Sequence, residues 1–447
     1  MDLKISISGI RGVVGDGLDA ETVSRYCSAL GNLLPPGPVV VSRDSRPSGA
    51  ALHRAATAAL MSTGHDVIDA GILSTPGTEW MVQESDAVGG VILTASHNPV
   101  EWNALKLLRA DGLFFDAEQI DELVRRSEGI RHHVSALHHG RLRVDHRGDQ
   151  RHIDAILALD LVSSEEISRA RLKVVVDCTE GAGGRVLPEL LRRLGVEVIE
   201  LYCSMSGRFP HDPEPRPEHL TELLRKVEES GADLGLAVDP DVDRLALVDA
   251  GGVPVSEEST LVVAADHVLS RRKGPLVANL SSTLRLDAVA RRWEVPIHRT
   301  AVGEANVVRT MLETGAVIGG EGNGGVILPA LHPGRDAPLG AALVLSAVAE
   351  AGSLSELLQR YPPTSMVKEK LSLQPRLDDP ALWKQALLEV GKGGRMDDTD
   401  GLKYDLGDRW VHLRRSNTEN ALRIIAEAPD ENEARSLVET VRGFLGN

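Results

Sequence analysis

The sequence predicts an α/β protein: three related α/β domains followed by a smaller C-terminal α+β domain, arranged around a central cleft. Three observations predict it. A strand–helix–strand pattern recurs three times, at roughly hundred-residue intervals that mark domain duplication rather than a short-period solenoid. Each repeat closes on a second apolar strand that opens into a loop dense with polar residues. The last stretch, from about Thr364 to Asn447, has a different order of elements.

In the first repeat, Pro38-Val39-Val40-Val41 reads as a buried strand. An alanine-rich helix follows from about Gly49 to Thr63, and Gly64 leads to the strand Asp66-Val67-Ile68. In the second, Leu172-Lys173-Val174-Val175-Val176 leads through Gly181-Ala182-Gly183-Gly184 to a helix ending at Arg193, then Gly195 and Val196-Glu197-Val198-Ile199. In the third, Pro275-Leu276-Val277-Ala278 leads to a helix through Arg292 and the strand Val295-Pro296-Ile297-His298. Short apolar runs separated by helical patterns form parallel α/β units. The closing strands are Gly89-Gly90-Val91-Ile92-Leu93 running to Ser96, Leu234-Gly235-Leu236-Ala237-Val238 running to Asp239, and Ala316-Val317-Ile318 running to Glu321. Ligands of open α/β sheets sit beyond the carboxyl ends of the strands, so three equivalent loops predict one shared cleft. Boundaries fall in the polar, His/Arg-rich stretch 145–158, near Gly251-Gly252 and at Tyr361-Pro362-Pro363. They divide the chain into domains 1–150, 151–250, 251–363 and 364–447.

Composition narrows the function. At 447 residues the chain exceeds one hydrophobic core, and its 42% hydrophobic and 26% charged residues are those of a soluble globular protein. No apolar stretch approaches the ~20 residues that span a bilayer, and Met1-Asp2-Leu3-Lys4 carries no signal-peptide core. Cys27, Cys178 and Cys203 are far apart and read as reduced, buried thiols of a cytoplasmic protein. A net charge of −16 argues against nucleic acid as a partner, and 3% aromatic residues leave little for base stacking. An anionic small molecule then needs local clusters of arginine, lysine and backbone N–H groups.

Four loops carry such chemistry. Thr94-Ala95-Ser96-His97-Asn98-Pro99 sets a hydroxyl at a strand end beside an imidazole and an amide; alone it is also an ordinary turn closed by Pro99. Asp239-Pro240-Asp241-Val242-Asp243-Arg244 sets carboxylates on alternate residues, on one face if the strand continues. Crowded like charges repel unless a cation neutralises them, and oxygen donors of this kind suit Mg²⁺. An EF-hand is excluded because Arg244 and Ala250 stand where its glycine and glutamate belong. A pair of aspartates one residue apart also leaves Asp239 open as a phosphatase nucleophile. Gly319-Gly320-Glu321-Gly322-Asn323-Gly324-Gly325 matches GxGxxG formally, but the strand-like Val326-Ile327-Leu328 follows where a helix belongs. Its glycines admit a ligand closely, with Glu321 and Asn323 as hydrogen-bonding groups. Arg414-Arg415-Ser416-Asn417-Thr418-Glu419, followed by Arg423, has the composition of a phosphate cradle. Arg11 between Gly9 and Gly12, the segment Arg43-Asp44-Ser45-Arg46-Pro47, Lys106, and His332-Pro333-Gly334-Arg335-Asp336 are weaker signals taken singly.

In this order the segments resemble the α-D-phosphohexomutase family of phosphoglucomutases, phosphomannomutases and phosphoglucosamine mutases, from Ser8 to Arg423. The resemblance implies four domains around a cleft, and an enzyme that interconverts hexose 6-phosphate and hexose 1-phosphate. It implies that Ser96 carries the phosphoryl group and that Asp239, Asp241 and Asp243 bind Mg²⁺ with an oxygen of Ser96. Arg244 and His97 would support the phosphoserine, and Glu321 and Asn323 would select the sugar. Arg414, Ser416, Asn417, Thr418 and Arg423 would grip the distal phosphate. Arg11 and Lys106 would stand near the transferring proton; Lys106, with a depressed pKa, is the expected acceptor because arginine rarely deprotonates. A hexose 1,6-bisphosphate is the implied intermediate and activator, and the protein a monomer or homodimer with hinge motion at Pro362-Pro363.

The chain departs from the family pattern at several positions. Ala104 replaces a usual glycine, Asn323 a common serine, Gly325 a common histidine, and Asn420 a frequent proline; Pro240 and Val242 stiffen the aspartate loop. The segments Ile7 to Gly12 and Thr94 to Pro99, with the glycine loop, resemble members assigned to glucosamine phosphate. Phosphomannomutase/phosphoglucomutase activity is the runner-up. An aspartyl-phosphate phosphatase and a non-catalytic sugar-phosphate-binding protein are the readings from other classes.

Overall fold

The computed structural model describes residues 3–129, 133–416 and 421–446. The chain forms two compact units, Met1–Thr260 with Asn323–Ser355, and Leu261–Gly322 with Glu356–Asn447.

In the first unit, the strand Val39–Arg43 lies between Gly89–Leu93 and Val67–Ile72, parallel to both. Both faces are covered, so the run is apolar throughout rather than alternating. Val39, Val41, Val91 and Leu93 pack into one cluster with the helices Ala20–Gly31 and Gly49–Ser62. Val40 and Ile92 point the other way, into a cluster with Met81 and Val82 of the helix Thr75–Gln83. The strand Trp102–Arg109 returns antiparallel beside Gly89–Leu93, and Gly9–Val14 pairs with it in turn. A second sheet sets Lys173–Asp177 between Glu197–Leu201 and Leu234–Val238, again parallel. From Leu234–Val238 the chain turns back antiparallel as Leu245–Asp249.

Asp336 caps the helix Ala337–Ala351 by accepting from the Leu339 N–H at 2.9 Å. Ala337 through Val348 of that helix are all buried, as their almost entirely apolar sequence requires. The helix and the hairpin Gly325–Leu328/His332–Arg335 belong to the first unit, so the expected third domain is divided between the two units. Local bonds account for this: Leu245 N donates to Gly324 O at 3.2 Å, and Ser163 N to Ser346 Oγ at 3.0 Å. The stretch read as a polar boundary at 145–158 forms the helix Gly148–Leu157, which buries His152, Ile153 and Ile156. Gln150 and Asp154 are exposed, while the buried face also carries Asp149, so composition alone hides it.

In the second unit, Leu276–Asn279 lies between Ile297–Thr300 and Ile318–Glu321, all parallel. An antiparallel sheet follows, in the order Ser365–Ser372, Ala421–Ala428, Trp410–Arg415, Leu402–Asp405, Arg395–Asp397. The helix Glu431–Gly446 covers one face of it, burying Leu437, Val438 and Val441. The Pro362-Pro363 segment is bridged by Arg285, which donates to Pro362 O at 3.2 Å and Thr364 O at 3.4 Å. All three cysteines are free; Cys27 and Cys178 are buried as expected, and Cys203 is half-buried. No helix among the described residues is long and apolar enough to cross a membrane.

Lys403 is buried in the second unit, where its ammonium lies 3.9 Å from the Trp410 ring centre and donates to Leu280 O at 2.7 Å. Burial, with Arg299 adding repulsion, lowers its pKa to about 7. The unfolded chain therefore holds a proton that the folded chain lacks between about pH 7 and the ordinary lysine value, so this group's contribution to stability rises with pH across that window. Thermal unfolding of wild type and Lys403→Met at pH 7 and pH 9.5 checks this. The variant is expected to gain stability relative to wild type at pH 7 and to lose that advantage at pH 9.5.

Candidate active site

The serine loop begins where the strand Gly89–Leu93 stops. Ser96 takes a left-handed backbone conformation, with φ 51°, which a non-glycine residue adopts only under constraint. The constraint is a buried arginine. Arg46 donates to Ser96 O and Asn98 O, both at 2.6 Å, to Pro99 O at 2.5 Å and to Trp102 O at 3.2 Å. Its Nε donates to Asp44 at 2.9 Å, and Asp44 in turn accepts from Thr94 Oγ1 at 2.7 Å. Thr94 Oγ1 accepts from the Ser96 N–H at 3.0 Å. Arg46 is a scaffold for the loop, and it is fully buried. In the sequence it stood among weak surface-like charges.

The aspartate loop faces that serine within the same unit. The strand ends at Val238, so the three carboxylates do not continue its alternation. They converge through a turn at Val242, a buried β-branched residue with φ 68°. Asp239 Oδ1 accepts from the Asp243 and Arg244 N–H groups at 3.1 and 3.2 Å, and Val242 O accepts from the Ala337 N–H at 3.2 Å. Gly181 makes room for the turn, since a Cβ there would lie 2.6 Å from Pro240 Cα.

Asp239, Asp241 and Asp243 are fully buried, with donor oxygens within 4.8 Å of one another. Ser96 Oγ donates to Asp239 Oδ2 at 2.9 Å. Asp241 Oδ2 accepts from Thr75 Oγ1 at 2.7 Å and Lys106 Nζ at 2.6 Å, and Asp243 Oδ2 from Arg335 at 2.7 Å. The second oxygens of Asp241 and Asp243 accept no hydrogen bond among the described residues. Burial, reinforced by Asp243 and Asp241, pushes the Asp239 carboxyl well above its ordinary range. Burial also raises Asp241, but Lys106 and the hydrogen bonds with Asp239 and Thr75 together outweigh it and hold Asp241 low. An all-oxygen donor set with unused buried oxygens fits a hard divalent cation.

Cationic and imidazole groups ring this centre. His97 Nδ1 lies 3.3 Å from Ser96 Oγ; burial, then Arg244 and Arg11, take its pKa well below the usual histidine value, so the ring is neutral near pH 7. Arg11 donates to Asn98 Oδ1 at 2.5 Å, and burial lowers its pKa too. Arg244 donates to Glu214 at 3.0 Å, while its Nε lies 3.8 Å from Asp243 and makes no hydrogen bond among the described residues. Lys106 departs from expectation. Burial lowers its pKa, but Asp241 at 2.6 Å and Asp243 at 3.6 Å outweigh that, and the net shift is upward rather than downward. Strand register puts it there, with Lys106 opposite Ile92 and Ala104 opposite Arg11.

The second unit holds the other candidate residues. Glu321 is the last residue of its strand rather than part of the loop, and it is buried. Its carboxylate accepts from Asn279 Nδ2 and from the Gly303 N–H, both at 3.0 Å. Arg414 donates to Asp400 at 2.9 Å, and Ser416 N donates to Ala421 O at 2.8 Å. Arg423 is the register partner of both Arg414 and Lys370, which sets three cations in one cross-strand row. Like charges directly opposed across a sheet repel, and Asp400 already offsets part of this row by pairing with Arg414. Asn417 and Thr418 lie outside the described residues. Asn323, in the first unit, accepts from the Gly325 N–H at 3.2 Å.

Arg46, Asp44, Thr75, Glu214 and Arg335 complete the first unit's site, and no motif assigned them a role. Removing Arg46 leaves Asp44 buried without its cation and the loop carbonyls without donors. Arg46→Ala should therefore cost about 3–5 kcal/mol. Chemical denaturation measures that loss.

Known proteins match the chain along its length. Residues 3–133, 150–252 and 256–364 match the alpha/beta/alpha domains I, II and III of phosphoglucomutase/phosphomannomutase, and residues 373–443 match its C-terminal domain. The chain is 38% identical to a phosphoglucomutase/phosphomannomutase of Thermococcus kodakarensis, over 96% of both chains. It is 36% identical to a probable phosphoglucosamine mutase of Methanopyrus kandleri, over 96% of this chain and 95% of that one. A crystal structure of a phosphoglucomutase/phosphomannomutase family protein from Burkholderia thailandensis superimposes with a TM-score of 0.87 at 27% identity, covering 99% of this chain and 98% of that one. The chain belongs to the phosphoglucomutase/phosphomannomutase family of α-D-phosphohexomutases, and is an intramolecular phosphotransferase of that class.

Proposed function

We propose that the protein moves phosphate between the 6- and 1-positions of a hexose phosphate, with Ser96 as phosphoryl carrier, Mg²⁺ as cofactor and a hexose 1,6-bisphosphate as intermediate and activator. The observation that carries this reading is the Ser96 hydroxyl donating at 2.9 Å to Asp239 on a loop of three buried carboxylates.

A phosphoryl group on Ser96 adds roughly −1.5 to −2 charge beside those carboxylates. Asp239, Asp241, Asp243 and the serine oxygen would hold Mg²⁺, which would supply the positive charge that this crowd of anions needs. Arg244 and Arg11 add fixed positive charge, and neutral His97 offers an N–H rather than a competing cation. In the forward step the bond from Ser96 Oγ to phosphorus breaks as a sugar hydroxyl forms its own, and the hydroxyl proton passes to a base. Lys106 is the proposed acceptor, but it begins as an ammonium. It must first give up its own proton, and its ion pairs with Asp241 and Asp243, which hold that proton in place, must break for it to do so. The bisphosphate then returns its other phosphoryl group to Ser96, so the net reaction is isomerisation. Positioning and charge neutralisation do most of this work.

Glu321 is the proposed partner of sugar hydroxyls, with Asn323 as a second polar contact. Arg414, Ser416 and Arg423, together with Asn417 and Thr418, are the proposed holders of the phosphate that is not reacting. On this reading domain 1–150 supplies the serine, 151–250 the metal ligands, 251–363 the sugar contacts and 364–447 the phosphate grip.

Glucosamine phosphate is the preferred sugar. Mannose or glucose phosphate is the second reading, favoured by the name of the relative at 38% identity. Turnover of glucosamine 6-phosphate, mannose 1-phosphate and glucose 1-phosphate, each with Mg²⁺ and a sugar bisphosphate, separates them. Faster turnover of the glucosamine substrate is expected, and equal rates on all three would contradict the preference. Intact mass is expected to show a phosphate adduct on wild type that Ser96→Ala lacks, with turnover abolished in the variant.

A further inference from the structure

A second cluster of metal-ligating side chains lies in the first unit, apart from the three aspartates. His152 comes from the helix Gly148–Leu157, His332 opens the strand His332–Arg335, and Asp336 caps the helix Ala337–Ala351. All three are buried, with 1% exposure or less. One oxygen of Asp336 faces both rings, 2.8 Å from His152 Nε2 and 3.0 Å from His332 Nε2. One donor atom from each residue lies within 4.8 Å of the other two. On the far side of His332, Nδ1 lies 3.5 Å from Glu79 Oε2, and Gly334 leaves room for that carboxylate, since a Cβ there would stand 1.9 Å from it.

Two imidazole nitrogens and a carboxylate oxygen form a donor set for zinc-class cations, unlike the all-oxygen set around Asp239. The spacing is close to what such an ion needs. With bonds of ~2.0 Å a tetrahedral ion holds its ligands ~3.3 Å apart, so the Asp336 oxygen needs to part from each nitrogen by a few tenths of an ångström.

Hydrogen placement points the same way. A neutral His332 that donates from Nε2 to Asp336 turns a bare lone pair on Nδ1 toward Glu79. With a cation on Nε2, the hydrogen moves to Nδ1 and faces Glu79, the carboxylate–histidine–metal arrangement that orients ligating histidines. His152 Nδ1 has no partner among the described residues, so a cation on Nε2 would take the place of this ring's hydrogen bond to Asp336.

We propose that His152, His332 and Asp336 bind a structural divalent cation of the zinc class, with Glu79 orienting His332. The cluster is built into the segment that braces the aspartate loop. Arg335 donates to Asp243 at 2.7 Å, and Ala337 N donates to Val242 O at 3.2 Å. An ion here would tie the helices Gly148–Leu157 and Thr75–Gln83 to that segment.

The test uses full-length wild type, His332→Gln and Asp241→Asn, each stripped with chelator and then given Zn²⁺ or Co²⁺ in excess Mg²⁺. Wild type and Asp241→Asn are expected to bind about one Zn²⁺ tightly, to show the ligand-field bands of four-coordinate Co²⁺, and to melt at higher temperature with Zn²⁺. His332→Gln should do none of these. Equal uptake by His332→Gln and wild type, or no tight uptake by wild type, would overturn the proposal. X-ray absorption of zinc-loaded wild type needs no variant: two imidazoles in the inner shell are expected, and a shell of oxygen alone contradicts the site.

Discussion

Charge crowding around one hydroxyl is the constraint on which the site depends. Asp239, Asp241 and Asp243 are closed off from water within reach of one another, and Ser96 gives its hydrogen bond to the first of them. Buried carboxylates this close cannot all remain ionised unless positive charge is brought to them. The chain brings part of it, through Lys106 at Asp241 and Arg335 at Asp243. Asp239 has Arg244 nearby, yet burial and its two neighbours still raise its pKa. It is the carboxylate that touches the serine, so the unmet demand for a cation is greatest where the proposed chemistry occurs.

Backbone strain sits on both sides of this contact. Ser96 and Val242 each hold a positive φ, a cost of about 1–3 kcal/mol apiece that surrounding structure must offset. Arg46 does so for the serine loop, by capturing the carbonyls of Ser96, Asn98, Pro99 and Trp102. The Asp239 carboxylate, the Ala337 N–H and the room left by Gly181 do so for the aspartate loop. The hydroxyl is thus oriented before any ligand arrives, as electrostatic preorganisation requires.

Much of this was legible in the sequence, for particular reasons. Strand ends followed by polar loops placed Ser96 and Asp239 within a residue or three of where the strands stop, because a buried parallel strand is an uninterrupted apolar run. Failure of the GxGxxG context was also readable, and Gly325–Leu328 is indeed a strand. Arg46 was not readable, since a buried arginine that satisfies carbonyls looks in sequence like any solvated charge. The upward shift of Lys106 follows from register and from a loop more than a hundred residues away, and local pattern carries neither. The helix Gly148–Leu157 was hidden by composition, because the face it buries carries Asp149 and His152 beside its two isoleucines. Glu321 reads in sequence as a loop residue, yet its strand continues to it, through glycines that a β-propensity argument discounts.

The central claim is that Ser96, and not Asp239, carries the phosphoryl group. Incubating wild-type protein with a sugar bisphosphate labelled with radioactive phosphate, then mapping the labelled peptide, tests it most directly. The account predicts an acid-stable label on the peptide containing Ser96, lost in Ser96→Ala. A hydroxylamine-sensitive label on the peptide containing Asp239, retained in Ser96→Ala, would contradict it.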